Sequence, residues 1–287
     1  MKISMITVCY NSAKTVRDAL ESVWQQKRDG VEIEYIVVDG KSKDNTVEII
    51  KEFECKVTNH QSPVTSHQPP ATSHQPPFTF KWISEPDEGL YDAMNKGMKM
   101  ATGELIGIVN SDDMLNSPDV LERVAKYAAD GTEVLGGCVR FVPTATRYEN
   151  LNETPSARYV NPRFWKKWML SWGWTPPHPG LYIRKSAYEK YGYYRADCEI
   201  SADDEIIMRL VRKGGASYKY MPICTVAMRL GGKSTQAKNL ILQNKELVQF
   251  NRDNGYWCCL PMMFPKLGIK ALEIVVPKIL RVVGKMV

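Results

Sequence analysis

The sequence predicts an α/β protein built on a mostly parallel sheet. Three observations carry that prediction. Short apolar runs alternate with helical patterns from the first residues onward. Each early run ends in a polar or acidic cluster. The 287 residues suffice for one large domain with a sizeable core.

Residues 3–9 form the first apolar strand. The stretch before Asn11 carries a single lysine, is too short for a signal peptide and is expected to be this strand. Asn11 or Ser12 is the expected N-cap of a helix, with Val16, Ala19, Leu20 and Val23 at helical spacing. Residues 34–38 are a second buried strand, ending at Asp39. Asp44, Asn45 and Thr46 cap a second helix. Residues 80–84 form a third strand and 90–100 a third helix, with Met94 and Met98 on one side. Residues 105–109 form a fourth strand, ending in Asn110, Ser111, Asp112 and Asp113. In parallel α/β sheets ligands bind beyond the carboxyl ends of the strands. Tyr10, Asn11, Asp39, Asp87, Asp112 and Asp113 fall there.

Residues 59–79 interrupt this order with three near-copies of seven residues, NHQSPVT, SHQPPAT and SHQPPFT. The stretch has five prolines and no charge, so it reads as a disordered tandem insertion in a surface loop. His178 is the single histidine outside it, which excludes a multi-histidine metal site in the core.

Composition narrows the function. Hydrophobic residues make up 44% and charged residues 24%, as in soluble globular proteins. No apolar run reaches the ~18–20 residues of a membrane-spanning helix. Seven scattered cysteines without a C-x-x-C pair predict reduced thiols and a cytoplasmic location. The net charge of +6 is concentrated after residue 265, where five bases meet one acid. The remainder is near neutral, and no nucleic-acid partner is expected. The tail alternates cations with aliphatic residues, as a helix on an anionic membrane face would, with Pro277 as a kink. Packing on the domain or an oligomer contact would also use it.

Several chemistries are excluded by their motifs. The turn CYNSAKT is neither G-x-G-x-x-G nor a P-loop, and no G-x-S-x-G elbow occurs. Asp112 and Asp113 suit a hard divalent cation such as Mg²⁺ or Mn²⁺. Alternatively, Asp113 or Ser117 caps a helix. Asp203, Asp204 and Glu205 precede a helical pattern, so one acid can cap it while another faces a cleft as a base.

Taken in order, ITVCYN, IVVDGKSKDNT, ISEPDEGLYDAMNKGM and ATGELIGIVNSDDML resemble the family 2 glycosyltransferases of GT-A fold. TPPHPGLYIRKSAYEKYG and ISADDEIIMRL resemble the acceptor-side half of its bacterial surface-polysaccharide members. The resemblance covers roughly residues 1–56, 80–115 and 170–235. It implies one catalytic domain over 1–235, with a nucleotide-sugar half at 1–115 and an acceptor half at 116–235. Residues 236–287 would be a helical, membrane-associating segment. Tyr10 and Asn11 match the nucleotide-base loop, and Asp39 the acid that bonds the base. Gly89, Asp92, Asn95 and Lys96 fall on the stretch bordering the nucleotide-sugar. Asp112 and Asp113 match the D-x-D-like motif, with Asn110 where Asp is frequent. Asp113 would ligate the metal, and Asp112 would contact ribose or metal-bound water. Asp203 matches the catalytic base, with Asp204 its rival.

The implied enzyme is an inverting glycosyltransferase at the inner membrane face. It would move a sugar from a nucleoside diphosphate sugar, expected to be a UDP-sugar, to a lipid-linked or polysaccharide acceptor. Competing readings are an inactive membrane-docked scaffold and a sugar-phosphate nucleotidyltransferase. His178 would touch metal or diphosphate, or else shape the turn Pro176–Gly180 by hydrogen bonding. Residues 228–234, with Arg229 and Lys233, would be a lid over the diphosphate or an exposed loop. Trp165, Trp168, Trp172 and Trp174 would stack on sugars, rest on lipid or pack in the core.

Overall fold

The computed structural model describes residues 1–61, 77–231 and 237–256. The first half runs β1 (Lys2–Cys9), α1 (Val16–Trp24), β2 (Glu32–Asp39), α2 (Thr46–Gln61), β3 (Phe78–Ser84), α3 (Leu90–Met100), β4 (Leu105–Ile108), β5 (Met114–Leu115) and α4 (Val120–Ala128). The second half runs β6 (Val134–Val142), β7 (Arg158–Val160), β8 (Leu181–Arg184), α5 (Lys185–Tyr191), α6 (Ala202–Ile207), β9 (Tyr218–Arg229) and α7 (Ala237–Asp253).

One sheet holds the strands in the order β3-β2-β1-β4-β8-β6-β9-β5, with β7 paired to β6. β3, β2, β1 and β4 are parallel, as expected. Beyond β4 the sheet is mixed. β8 is antiparallel to β4 and β6, while β6 and β9 are parallel. β5 and β7 pair antiparallel on β9 and β6. The alternation that gave the parallel half its helical crossovers breaks down after residue 115, and parallel pairing needs such crossovers.

Both faces of the sheet are buried, which is why its strands are nearly continuous apolar runs. On β1 and β2, Ile3, Met5, Ile33, Tyr35 and Val37 face α1 and α2. Ile6, Val8, Ile36 and Val38 face α3. Helix α3 lies close to the sheet because Gly97 has no side chain: a Cβ there would stand 2.6 Å from Ile6 Cγ2. Glu34 breaks the apolar pattern on the α3 face. Its register partner on β1 is Ser4, whose hydroxyl donates to it, and Lys81, Thr102 N and Thr102 Oγ1 supply further donors. A buried charge with this many donors is the kind a core retains.

The repeat segment begins inside α2 and ends inside β3, and its residues 62–76 lie outside the described residues. Helix α7 packs on the domain through Phe250, and Glu246 accepts bonds from the backbone N–H groups of Glu199, Ile200 and Ser201. The basic tail from Lys266 lies outside the described residues. Among the described residues no helix is long and apolar enough to cross a membrane. Cys9, Cys55, Cys138, Cys198 and Cys224 are free thiols.

Candidate active site

The loop after β1 does not open the helix as expected. Asn11 has φ 50°, a left-handed conformation that asparagine tolerates better than most residues. Its Oδ1 accepts from Lys43 N at 2.8 Å, and its own N–H donates to Ser42 Oγ at 2.8 Å. Ser12 N donates to Thr46 Oγ1 and Ala13 N to Asp44 Oδ2. These polar groups tie the β1–α1 loop to the β2–α2 loop instead of capping. Helix α1 therefore starts at Val16, with Thr15 at its N-cap position and no side-chain capping bond. The second cap behaves as expected: Asp44 Oδ1 accepts from Thr46 N at 3.1 Å.

A cleft of about 960 Å³ opens beyond the carboxyl ends of β1 and β4. That volume suits a ligand of nucleotide-sugar size. Tyr10, Asn11, Gly89, Asp112, Asp113, His178 and Asp203 all line it. Five segments bring them there: the β1–α1 loop, the residue before α3, the turn after β4, the turn before β8, and the start of α6. Asp39, Asp92, Asn95 and Lys96 are not part of its wall. Asp39 is fully buried, and its carboxylate accepts from Ser42 N at 3.0 Å, Ser84 Oγ at 2.7 Å and Ser42 Oγ. Asn95 exchanges two bonds with the backbone of Tyr194, at 2.8 and 3.0 Å. Lys96 pairs with Glu85 and Asp92 and donates to Pro86 O, while Asp92 accepts from Glu88 N. These three residues brace α3 and the loop before it. Helical geometry turns them away while Tyr91 and Met94 of the same helix reach the cleft.

Asp112 and Asp113 form the acidic end. Asp113 Oδ2 accepts from Asn110 Nδ2 at 3.1 Å, and its Oδ1 from Arg229 N at 3.2 Å. Asn110 thus serves Asp113 as a donor where another acid would repel it. Burial, and then the adjacent Asp112 charge, push the Asp113 carboxyl well above the usual carboxylate range. Neither Asp113 nor Ser117 supplies a side-chain cap to α4, whose N-cap position is Asp119.

Asp203 lines the same cleft from the first turn of α6. The Tyr91 hydroxyl is shared between Ile200 O and Asp203 Oδ1, the latter at 3.1 Å. Asp204 is buried, accepts from the Thr175 hydroxyl, and also reaches the cleft. Behind them Tyr194 stacks on Tyr91, and its hydroxyl meets His178 Nε2 at 2.7 Å. Burial holds the His178 imidazole down to about 4, so it is neutral near pH 7. Among the described residues no three His, Cys, Asp or Glu side chains form a group able to hold a metal ion, so His178 does not join Asp112 and Asp113 in one.

Four cleft features escaped sequence reasoning. Lys14, late in the β1–α1 loop, lines the cleft, a place that strand topology alone makes readable. Arg158 and Gln243 arrive from distant segments with no motif to mark them, and Thr175 opens the TPPHPG motif without having been singled out. Gln243 Oε1 is buried without a hydrogen-bond partner among the described residues. Arg229, expected on a lid, is buried at the end of β9 in an ion pair with Asp18. A side chain held in that way does not swing, and Lys233 lies outside the described residues. Of the tryptophans, Trp165 is buried, Trp174 lines the cleft, and Trp168 and Trp172 are exposed.

Comparison with known proteins agrees with this geometry. The profile of "Glycosyl transferase family 2" matches residues 4–192. The "Uncharacterized glycosyltransferase Rv1514c" of Mycobacterium tuberculosis is 30% identical over 211 residues, covering 72% of this chain and 68% of that protein. The "Putative glycosyltransferase EpsH" of Bacillus subtilis is 30% identical over 133 residues, covering 46% of this chain and 32% of that protein. Among solved structures, S. aureus TarS 1–349 in complex with UDP-GlcNAc has a TM-score of 0.61 at 17% identity, over 87% of this chain and 66% of that one. The mannosyltransferase PcManGT of Pyrobaculum calidifontis, in complex with GDP-Man and Mn²⁺, has a TM-score of 0.57 at 20% identity, over 94% of this chain and 69% of that one. The two structures show a shared GT-A-type fold. The chain belongs to glycosyl transferase family 2 and is a glycosyltransferase.

Proposed function

We propose that the protein transfers a sugar from a UDP-sugar to a hydroxyl of a lipid-linked or polysaccharide acceptor, with inversion, using Asp203 as base and Mg²⁺ or Mn²⁺ at Asp112 and Asp113. One observation carries the reading: the Asp112–Asp113 pair and Asp203, from distant parts of the chain, line one cleft. Nucleotide-sugars bound by structures of this fold support the donor class. The setting is a peripheral enzyme at the cytoplasmic membrane face.

The acidic pair fits a hard cation. Two adjacent carboxylates, one of them buried and raised by the other's charge, form an all-oxygen donor set that a divalent ion would relieve. Such an ion would neutralise charge on the departing diphosphate. Asp203 takes the proton from the acceptor hydroxyl, whose oxygen bonds to the anomeric carbon as the bond to the diphosphate breaks. The electron pair of the broken bond leaves with the diphosphate. The Tyr91 hydroxyl beside Asp203 orients that carboxylate. Lys14 is exposed at the cleft wall and presents a cation to the diphosphate.

The test is a thermal-shift titration with UDP-, GDP- and dTDP-sugars, with Mn²⁺ or with chelator. A ligand that binds the folded form raises its apparent stability. The expected result is a metal-dependent shift with a UDP-sugar, lost in Asp113→Ala. No shift with any donor, in folded protein, would sink this reading and favour an inactive scaffold.

A further inference from the structure

We propose that residues 159–172 form a surface that docks the protein on an anionic lipid bilayer, beside the mouth of the cleft. Seven large hydrophobic side chains are exposed among the described residues, and four of them, Tyr159, Phe164, Trp168 and Trp172, fall in this short stretch. Phe164 is 72% exposed and Trp168 56%. Tyr10 and Leu90 belong to the cleft, so this stretch is the one concentration of exposed aromatics outside it among the described residues. Apolar side chains scattered singly are ordinary, whereas a cluster marks a contact.

The outward rings stand on an anchored base. Trp165 and Leu170 of the same stretch are buried. The Trp165 ring meets Tyr218 edge-on, with centroids 4.7 Å apart, and its indole N–H donates to Trp174 O at 3.0 Å. The exposure of Phe164 and Trp168 is therefore a property of the packed fold.

Charge identifies the occupant. Arg163, Lys166 and Lys167 are exposed among these rings. No acidic residue occurs between Glu153 and Glu189. Aromatic rings settle at the headgroup level of a bilayer, and interleaved cations meet anionic phosphates there. A second copy would set like charges against each other across a symmetric contact. The tail after residue 265 is itself net positive, so it does not complement the patch.

The patch adjoins the site. Val160 within it, and Arg158 and Trp174 on either side of it, line the cleft. Docking would bring the cleft mouth to the bilayer, where a lipid-linked acceptor hydroxyl would meet Asp203. That consequence rests on the proposed function, whereas the docking itself needs no turnover.

The test is co-sedimentation of the full chain with vesicles of phosphatidylcholine alone or with added phosphatidylglycerol, at low and high salt. Binding to the phosphatidylglycerol vesicles is expected, and salt should weaken it. Lys166→Gln/Lys167→Gln and Phe164→Ala/Trp168→Ala should each weaken it roughly tenfold, with circular dichroism unchanged. Lys266→Gln/Lys270→Gln/Lys278→Gln, which alters the tail alone, should retain patch-dependent binding. Patch variants that bind like the wild type, or a wild type that ignores both vesicles, would overturn the proposal. So would patch variants that merely turn a dimer into a monomer. A donor thermal shift on the same samples reads the proposed function separately, so either idea can fail alone.

Discussion

Arg229 and Asp18, 211 positions apart in the chain, meet inside the protein with Nη2 2.6 Å from Oδ2. The same guanidinium donates to Asp112 O at 2.7 Å and to Thr146 O at 2.7 and 3.0 Å, while Arg229 N donates to Asp113 Oδ1. Asp18 also accepts from Arg147 Nη1 at 3.1 Å and Tyr148 N at 3.0 Å. One buried cation thus ties α1, the end of β9 and the acidic turn together.

Arg229→Gln leaves Asp18 with Arg147 and the backbone N–H of Tyr148. Breaking a buried pair costs roughly 3–5 kcal/mol, and the lower end is expected because Arg147 remains. Arg229→Lys should fall between, since lysine keeps the charge but not the planar fork. Urea unfolding of both, and of Asp18→Asn/Arg229→Gln, checks this: the double change should cost less than the sum. Strict additivity would show that the pair is not coupled. The folded fraction of Arg229→Gln should also bind Mn²⁺ more weakly, because its acidic turn loses the guanidinium bond to Asp112 O.

Asp203→Asn should lower turnover about 10²–10⁴-fold, the usual range for a general base, while a donor-dependent thermal shift persists. Asp204→Ala should act mainly on stability, by about 1–3 kcal/mol, because the Thr175 hydroxyl loses its acceptor. Kinetics and melting curves on the two variants check this. If Asp204→Ala abolishes turnover without a stability loss, the base is Asp204.

Glu34 should shape the acid limb of stability. Burial by itself would raise its carboxyl, but bonds from Lys81, Ser4 and Thr102 outweigh that and hold it down to about 2, against 4.5 for the free group. A depressed acid binds fewer protons folded than unfolded between those values. Its contribution is therefore full above about pH 4.5 and is lost as pH falls toward 2. Glu34→Gln should cost roughly 1.5–3 kcal/mol at pH 7, and less as the pH drops through that window. Unfolding free energies measured across it would reject the idea if the wild type and variant curves stayed parallel.

Gly97→Ala should destabilise despite the better helix propensity of alanine. The gain is about 1 kcal/mol at most. A new Cβ would press on Ile6 Cγ2 at 2.6 Å and Val38 Cγ2 at 3.4 Å. Both are stiff β-branched side chains on the central strands, and overpacking there costs roughly 1–3 kcal/mol. A net loss near 1 kcal/mol is expected by urea unfolding, and a gain in stability would refute the close approach.

Much of the parallel half was legible in the sequence. Helix α3 spans the predicted 90–100, and β1 to β4 lie within one or two residues of their expected ends. Those elements declare themselves by local periodicity and by polar clusters at their ends. The mixed half was not legible: β6, β8 and β9 pair across gaps of many residues, and no local pattern records a partner or its direction. Asn11 shows the same limit at one residue. Its type suits a helix cap, but Lys43 and Ser42 sit in reach only after β1 and β2 have paired.

By itself the sequence determined the α/β class, the order of the first elements and the placing of acids at strand ends, because each depends on residues a few positions apart. The tertiary structure alone decided which of those acids face the cleft. It turned Asp113 and Asp203 toward one space, sealed Asp39 beneath Ser42 and Ser84, and made Arg229 a buried anchor. The physical reason is that a polar side chain's role follows from the partners within hydrogen-bond reach, and here those partners come from loops and strands far apart in the chain.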